Sequence, residues 1–282
     1  MLEMTKANHL QHIGQKRSTS MDFGMPFLLE NNSIADAAAL AASLGLDFVE
    51  LNMSFPICQR ERMPADDLLA LQRKYGIYFT FHLDEEMAPC TFSAPVRAAW
   101  QQVAREAIAL ARQIGAPSVN LHWPRGVYVT LPEKIDFLFN RYRQEYLEHT
   151  LRFRDLCQEV SGGDVNVCVE NTGGWAPFQQ EAVDLLLEAP AFGLTLDVGH
   201  NCRAGYADAP YYARHRDRLR HMHLHDATPA QDHMPLGRGS LDIAALLARA
   251  GRTHARVVVE VKTAVALEES VDYLRKRGLY HG

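Results

Sequence analysis

Carboxylates and imidazoles in this chain recur directly after short apolar runs. Glu50 stands in Phe48-Val49-Glu50-Leu51-Asn52, His82 in Phe79-Thr80-Phe81-His82-Leu83-Asp84, and His122 in Val119-Asn120-Leu121-His122-Trp123. Further on come Glu170 in Val167-Cys168-Val169-Glu170-Asn171-Thr172 and Asp197 with His200 in Leu196-Asp197-Val198-Gly199-His200. His223, His225 and Asp226 follow in His221-Met222-His223-Leu224-His225-Asp226. Asp232 and His233 precede Leu236-Gly237-Arg238-Gly239, and Glu260 lies in Val257-Val258-Val259-Glu260-Val261-Lys262. Each residue alone has an ordinary explanation, as a hydrogen-bonded core histidine or a glutamate paired with a lysine. Together they point to a metal centre. Converging buried carboxylates cost several kcal/mol per uncompensated charge, and a divalent cation resolves that cost. Nitrogen and oxygen donors without thiolate suit zinc, manganese, cobalt or iron better than calcium, with magnesium a further candidate.

Such residues converge only if the elements carrying them are parallel and end together. Eight strand candidates are present: Phe23–Leu29, Phe48–Met53, Tyr78–Leu83, Ser118–Trp123, Val165–Asn171, Gly193–Val198, His221–His225 and Arg256–Lys262. Several are near-continuous apolar runs, as parallel strands buried on both faces require. Helical segments between them are Ile34–Leu44, Ala94–Ile114, Pro132–Val160, Gln180–Leu187, Pro210–Leu219, Leu241–Ala250 and Val265–Lys276. Ser33 is placed to cap the first and Gly45 to end it. Repeated βα units over this length predict a (β/α)8 TIM barrel, an eight-stranded parallel barrel with outer helices. A doubly wound sheet is the alternative, but no glycine-rich phosphate loop follows any strand. In such barrels chemistry collects where strands end, which is where these residues fall.

At 282 residues, with 47% hydrophobic and 22% charged residues, the composition is that of a folded globular chain. The net charge of -5 argues against bulk binding of polyanions. No apolar run reaches ~18 residues, so no membrane span is expected. The five cysteines form no C-x-x-C pair and suggest a reducing, cytoplasmic setting. Residues 1–20 read as a poorly packed tail, and residues 21–282 as one barrel domain. A homo-oligomer stays open.

Glu170-Asn171-Thr172, Leu196-Asp197-Val198-Gly199-His200, His223-Leu224-His225-Asp226, Leu236-Gly237-Arg238-Gly239 and Glu260 together resemble the xylose-isomerase-like barrel superfamily. That group includes sugar isomerases, ketose 3-epimerases and endonuclease IV, the family 2 apurinic-site repair enzymes. Resemblance to the sugar branch implies one divalent metal held by Glu170, Asp197, His223 and Glu260. Resemblance to the repair branch implies further metals, at positions matching His82, His122, His200 and His233. Gln231 stands where those enzymes carry an aspartate, with Asp232 displaced by one. Arg238 replaces an acidic residue.

Two chemistries follow from one set of ligands. In isomerisation or epimerisation of a sugar or sugar phosphate, the metal chelates carbonyl and hydroxyl oxygens, and Glu170 and Glu260 exchange a proton with the carbon between them. His200 and Lys262 are then candidates to bond substrate oxygens. Glu50 and His225 are further substrate-binding candidates, and Trp123 and Trp175 can stack on a sugar face or pack in the rim. In phosphodiester hydrolysis at abasic DNA, a metal cluster supplies hydroxide, and the mouth loops should be basic. They are not: Asp84, Glu85 and Glu86 occupy one, another has only Arg125, and the basic run Arg214–Arg220 reads as an outer helix face. The sugar reaction is therefore favoured over nucleic acid cleavage. A barrel that binds metal or ligand without turnover is the third possibility.

Overall fold

Short β-branched and aromatic runs become the staves of a closed parallel barrel in the computed structural model, which describes residues 21–282. The barrel strands are β1 (Phe23–Pro26), β2 (Phe48–Asn52), β3 (Tyr78–His82), β4 (Ser118–His122), β7 (Asn166–Glu170), β8 (Phe192–Asp197), β9 (Leu219–Leu224) and β10 (Arg256–Val259). Around the ring they run in sequence order, with β10 closing against β1. Their side chains are almost entirely buried because the ring's interior takes one face and the outer helices cover the other. The expected (β/α)8 barrel is the fold. The tail expected over residues 1–20 lies outside the described residues.

Among the described residues seven helices of nine residues or more lie outside the ring: α1 (Ile34–Ser43), α2 (Ala65–Tyr75), α3 (Ala94–Ile114), α5 (Arg143–Ser161), α6 (Pro177–Leu187), α9 (Ile243–Gly251) and α10 (Ala264–Lys276), while α7 (Val198–Arg203) is short. Two further short helices are α4 (Leu138–Arg141) and α8 (Ala209–Arg214). Ser33 caps α1 by accepting the Asp36 N–H at 3.1 Å, and Gly45 takes the left-handed φ of 69° just past its end, as expected. The helix between β2 and β3, for which the sequence suggests no bounds, is α2.

One expectation fails. Pro132–Val160 does not form one helix. Val127 to Phe137 instead make an antiparallel hairpin of β5 (Tyr128–Thr130) and β6 (Ile135–Phe137), and α4 and α5 follow. Val129 and Thr130 favour strand. Pro132 sits in the turn, where the Leu131 N–H donates to the Lys134 carbonyl at 2.8 Å. The Arg214–Arg220 run is also not one helix. It breaks into a 3-10 turn, Arg216–Arg218, before β9 begins.

Register sets the height of the site. His122 of β4 pairs with Glu170 of β7, and Asp197 of β8 pairs with His223 of β9. Successive strands are staggered, so residues at different strand positions reach one level of the barrel. All five cysteines are free and buried. No helix of the described residues is long and apolar enough to cross a membrane.

Candidate metal centre

Glu170 ends β7 at the centre of the mouth and is 1% exposed. Asn120 donates its amide to Glu170 Oε2 and is itself fixed by the Thr195 hydroxyl, which donates at 2.6 Å. Four imidazoles surround the carboxylate. His223 Nδ1 is 3.1 Å from Oε1, His82 Nε2 and His122 Nε2 are 3.3 and 3.6 Å from Oε2, and His200 Nδ1 is 3.7 Å from Oε1.

Asp197 ends β8 and caps α7, accepting the His200 N–H at 2.7 Å. Its backbone N–H donates to Asn171 Oδ1 at 2.9 Å. His225 Nε2 lies 3.1 and 3.2 Å from its two oxygens. Because His225 Nδ1 accepts the His233 backbone N–H at 2.7 Å, the bonding pattern places the ring proton on Nε2, donating to Asp197.

His223 projects from β9 with Nδ1 facing Glu170, Glu260 Oε2 at 3.2 Å and Asp197 Oδ2 at 4.0 Å. Glu260 follows β10. Its Oε1 receives Lys262 Nζ at 2.8 Å, and its buried Oε2 has no hydrogen-bond partner. One donor atom from each of Glu170, Asp197, His223 and Glu260 lies within 4.8 Å of the others. Three carboxylates, one imidazole and an orphaned carboxylate oxygen fit a divalent cation of the zinc, manganese or cobalt kind.

Four more donor groups adjoin this one among the described residues, two of them being His225 with His233 and Glu260, and Glu50 with His221 and His223. His82, His122 and Glu170 meet the same proximity, as do His200, Asp232 and His233. The one-residue displacement of Asp232 does not remove an acid from the last group. His233 adopts a left-handed φ of 52°, and Asp232 also pairs with Arg203 at 2.9 Å. Arg238 is turned to Glu269 at 3.5 Å.

Several substrate-facing expectations are corrected. Trp123 is 1% exposed, and its indole N–H donates to the Tyr146 hydroxyl at 2.8 Å, so no sugar can stack on it. Trp175 is likewise buried between Tyr211 and Tyr212, with its backbone N–H on Asp208. His225 is fully buried behind Asp197. Glu50 lies within the barrel, 3% exposed, beside His221 and His223. Lys262 stays accessible, its side chain 57% exposed. Asn120, Asn171, Thr195 and His221 were not singled out from the sequence. Asn120 had a signal, since it stands two residues before His122 on one strand and so shares its face.

Electrostatics follow from this crowding. Burial raises the Glu170 and Glu260 carboxyls, but neighbouring histidines, His223 foremost, hold both well below the usual range. Burial lowers His223, yet Glu170, Glu260 and Glu50 hold it well above its ordinary value. His82 is opposed by burial and pushed up to about 9 by its bond to Glu170. A histidine raised in the folded state stabilises fully below the unfolded value near 6.5, and that contribution is lost as pH rises through 9. Metal-free protein should therefore lose on the order of 3 kcal/mol between pH 6 and 9.5 from this residue. Urea unfolding at the two pH values checks it, and a His82→Gln variant with an undiminished slope would remove the attribution.

With the geometry in place, the class is defined. The description "xylose isomerase-like TIM barrel" matches residues 38–277, and the chain belongs to that family. Among solved structures it is similar to a D-tagatose 3-epimerase-like protein, at 19% identity and TM-score 0.70, over 91% of this chain and 96% of that one. It is similar to the 3-keto-D-glucoside 4-epimerase of E. coli, at 15% identity and TM-score 0.71, over 91% and 100%. It is also similar to the D-psicose 3-epimerase of Clostridium cellulolyticum H10, at 13% and 0.71, over 93% and 100%. No curated protein matches it by sequence.

Proposed function

We propose that this protein is a divalent-metal-dependent isomerase or epimerase of a sugar or sugar phosphate. The observation that carries this is that Glu170, Asp197, His223 and Glu260, all at or just after strand ends of the barrel, each bring one donor atom within 4.8 Å of the others. The names of the three structural neighbours given above, sugar epimerases or like them, support the substrate class.

In this reading Glu170, Asp197, His223 and Glu260 hold the cation. A divalent ion bound there would supply Lewis-acid chemistry to a substrate carbonyl and neighbouring hydroxyl, which would acidify the hydroxyl-bearing carbon next to the carbonyl. One of the two glutamates takes the proton from that carbon and the other delivers it, on the opposite face for an epimerase. Lys262 bonds Glu260 through Oε1, which leaves Oε2 turned toward His223 Nδ1 and the other three donors. Lys262 and His200, the latter partly exposed, bond substrate oxygens. Asn120 keeps Glu170 Oε2 oriented through its amide.

The test is exchange of substrate C–H with deuterated solvent across a ketose panel, followed by NMR with metal present. Exchange is expected, and Glu260→Gln should retain metal while losing exchange by roughly 10²–10⁴-fold. Unchanged exchange in that variant would remove the role of Glu260.

The His82–His122–Glu170 and His200–Asp232–His233 groups favour one second reading, phosphodiester hydrolysis at a three-metal centre. Against it stand the exposed Glu85 and Glu86 beside the mouth. Three metals per chain, cleavage of an abasic duplex and no exchange on any sugar would replace the first reading with the second.

A further inference from the structure

His223 must present one particular nitrogen if it is to serve the centre, and the residue that decides this is not among the four donors. Nδ1 faces the three carboxylates. A ring that gives its Nδ1 lone pair to a cation carries its proton on Nε2. That N–H is buried, with His223 1% exposed, so it needs an acceptor. Glu50 supplies it: Oε1 is 2.8 Å from His223 Nε2. The carboxylate reaches through the barrel interior from β2, which is separated from β9 by β1 and β10. Its other oxygen receives the Thr80 hydroxyl at 3.2 Å and lies 2.9 Å from His221 Nε2. Apolar branched side chains usually fill this part of such a barrel. A buried carboxylate here is costly unless it serves a partner.

We propose that Glu50 is the positioning residue of the metal centre, accepting the Nε2–H of His223 and thereby aiming Nδ1 at Glu170, Asp197 and Glu260. A half-turn of the ring would bring Cδ2, which has no lone pair, to face the carboxylates. The bond to Glu50 holds the ring against that turn. Negative charge behind the imidazole also makes it a better donor.

Glu50, His221 and His223 themselves fall within the 4.8 Å proximity of a metal site. Distance decides between the two roles. Donors on one tetrahedral cation at ~2.1 Å are about 3.4 Å apart. The 2.8 Å contact of Glu50 Oε1 with His223 Nε2 is a hydrogen bond instead.

This inference rests on the proposed metal centre, and the experiment separates the two. Wild type, Glu50→Gln and Glu50→Ala are stripped with chelator and titrated with Co²⁺, following the visible ligand-field bands. Wild type should bind one equivalent at the centre. Glu50→Ala should bind 10–100-fold more weakly with altered bands, and Glu50→Gln, whose amide oxygen still accepts, less than tenfold more weakly. A merely structural role would shift the melting temperature of the variants but leave the Co²⁺ affinity and bands of the folded protein unmoved, which overturns the proposal. No Co²⁺ binding by wild type overturns both this role and the metal centre. A second equivalent that disappears with Glu50 overturns the positioning role in favour of a metal site. Should Glu50→Ala not fold, ¹⁵N-histidine NMR of zinc-loaded wild type decides: His223 should be metal-bound at Nδ1 and protonated at Nε2, and the reverse pattern refutes the proposal.

Discussion

Glu170→Gln should reduce solvent exchange into substrate by at least roughly 10³-fold, the upper part of the range for removing a general acid–base group. Glu170 faces four imidazoles and belongs to two of the donor clusters, so its loss reaches much of the site. The same substitution should alter the metal-free protein. Removing the negative charge leaves His82 and His223 facing an uncharged amide, and His82 should return toward its ordinary value. The loss of stability expected between pH 6 and 9.5 should then flatten. Breaking a buried ion pair by removing one partner costs about 3–5 kcal/mol, so metal-free Glu170→Gln and Glu170→Ala should both unfold at markedly lower urea than wild type. Exchange within a factor of ten of wild type in Glu170→Gln would remove the residue from the chemistry.

Chelation and reloading should produce the second large effect. Stripped protein should be inactive, and metal at 100 times its dissociation constant should stabilise it by about 2.7 kcal/mol. For a domain of this size that is a rise of about 5–10 °C in melting temperature. His122→Ala separates the two chemistries in the same assay. Under the sugar reading His122 lies outside the four principal donors, so the variant should keep one equivalent of metal and most of the thermal shift while turnover weakens. Metal analysis and calorimetry read both. Cleavage of an abasic duplex by wild type, lost in His122→Ala together with all its metal, would make the cluster indivisible and favour hydrolysis.

The barrel was legible because its signal is local. Runs such as Val257-Val258-Val259 and Val167-Cys168-Val169 read as strands buried on both faces, and polar residues marked where each strand ended. The hairpin after β4 was not legible as such. Periodic apolar residues from Ile135 to Tyr146 suit a helix, while pairing of Tyr128 with Phe137 decided otherwise. Trp123 shows the same limit. Its place at a strand end suggested the mouth, but the Tyr146 hydroxyl from α5 draws its indole N–H into the wall.

Residue types and their order along the chain determined the parallel barrel, the end of it that carries chemistry, and the kinds of donor gathered there. Periodicity and strand-end polarity are properties of a few consecutive residues, so one sequence contains them. Only the tertiary structure decided what each donor faces. Glu50 and Glu170 both follow apolar residues on barrel strands, yet one sits beneath His223 within the ring and the other in the mouth among four imidazoles. Strand stagger and barrel closure set that difference. They bring together side chains more than a hundred residues apart, and no local pattern records which nitrogen of a ring will meet which oxygen.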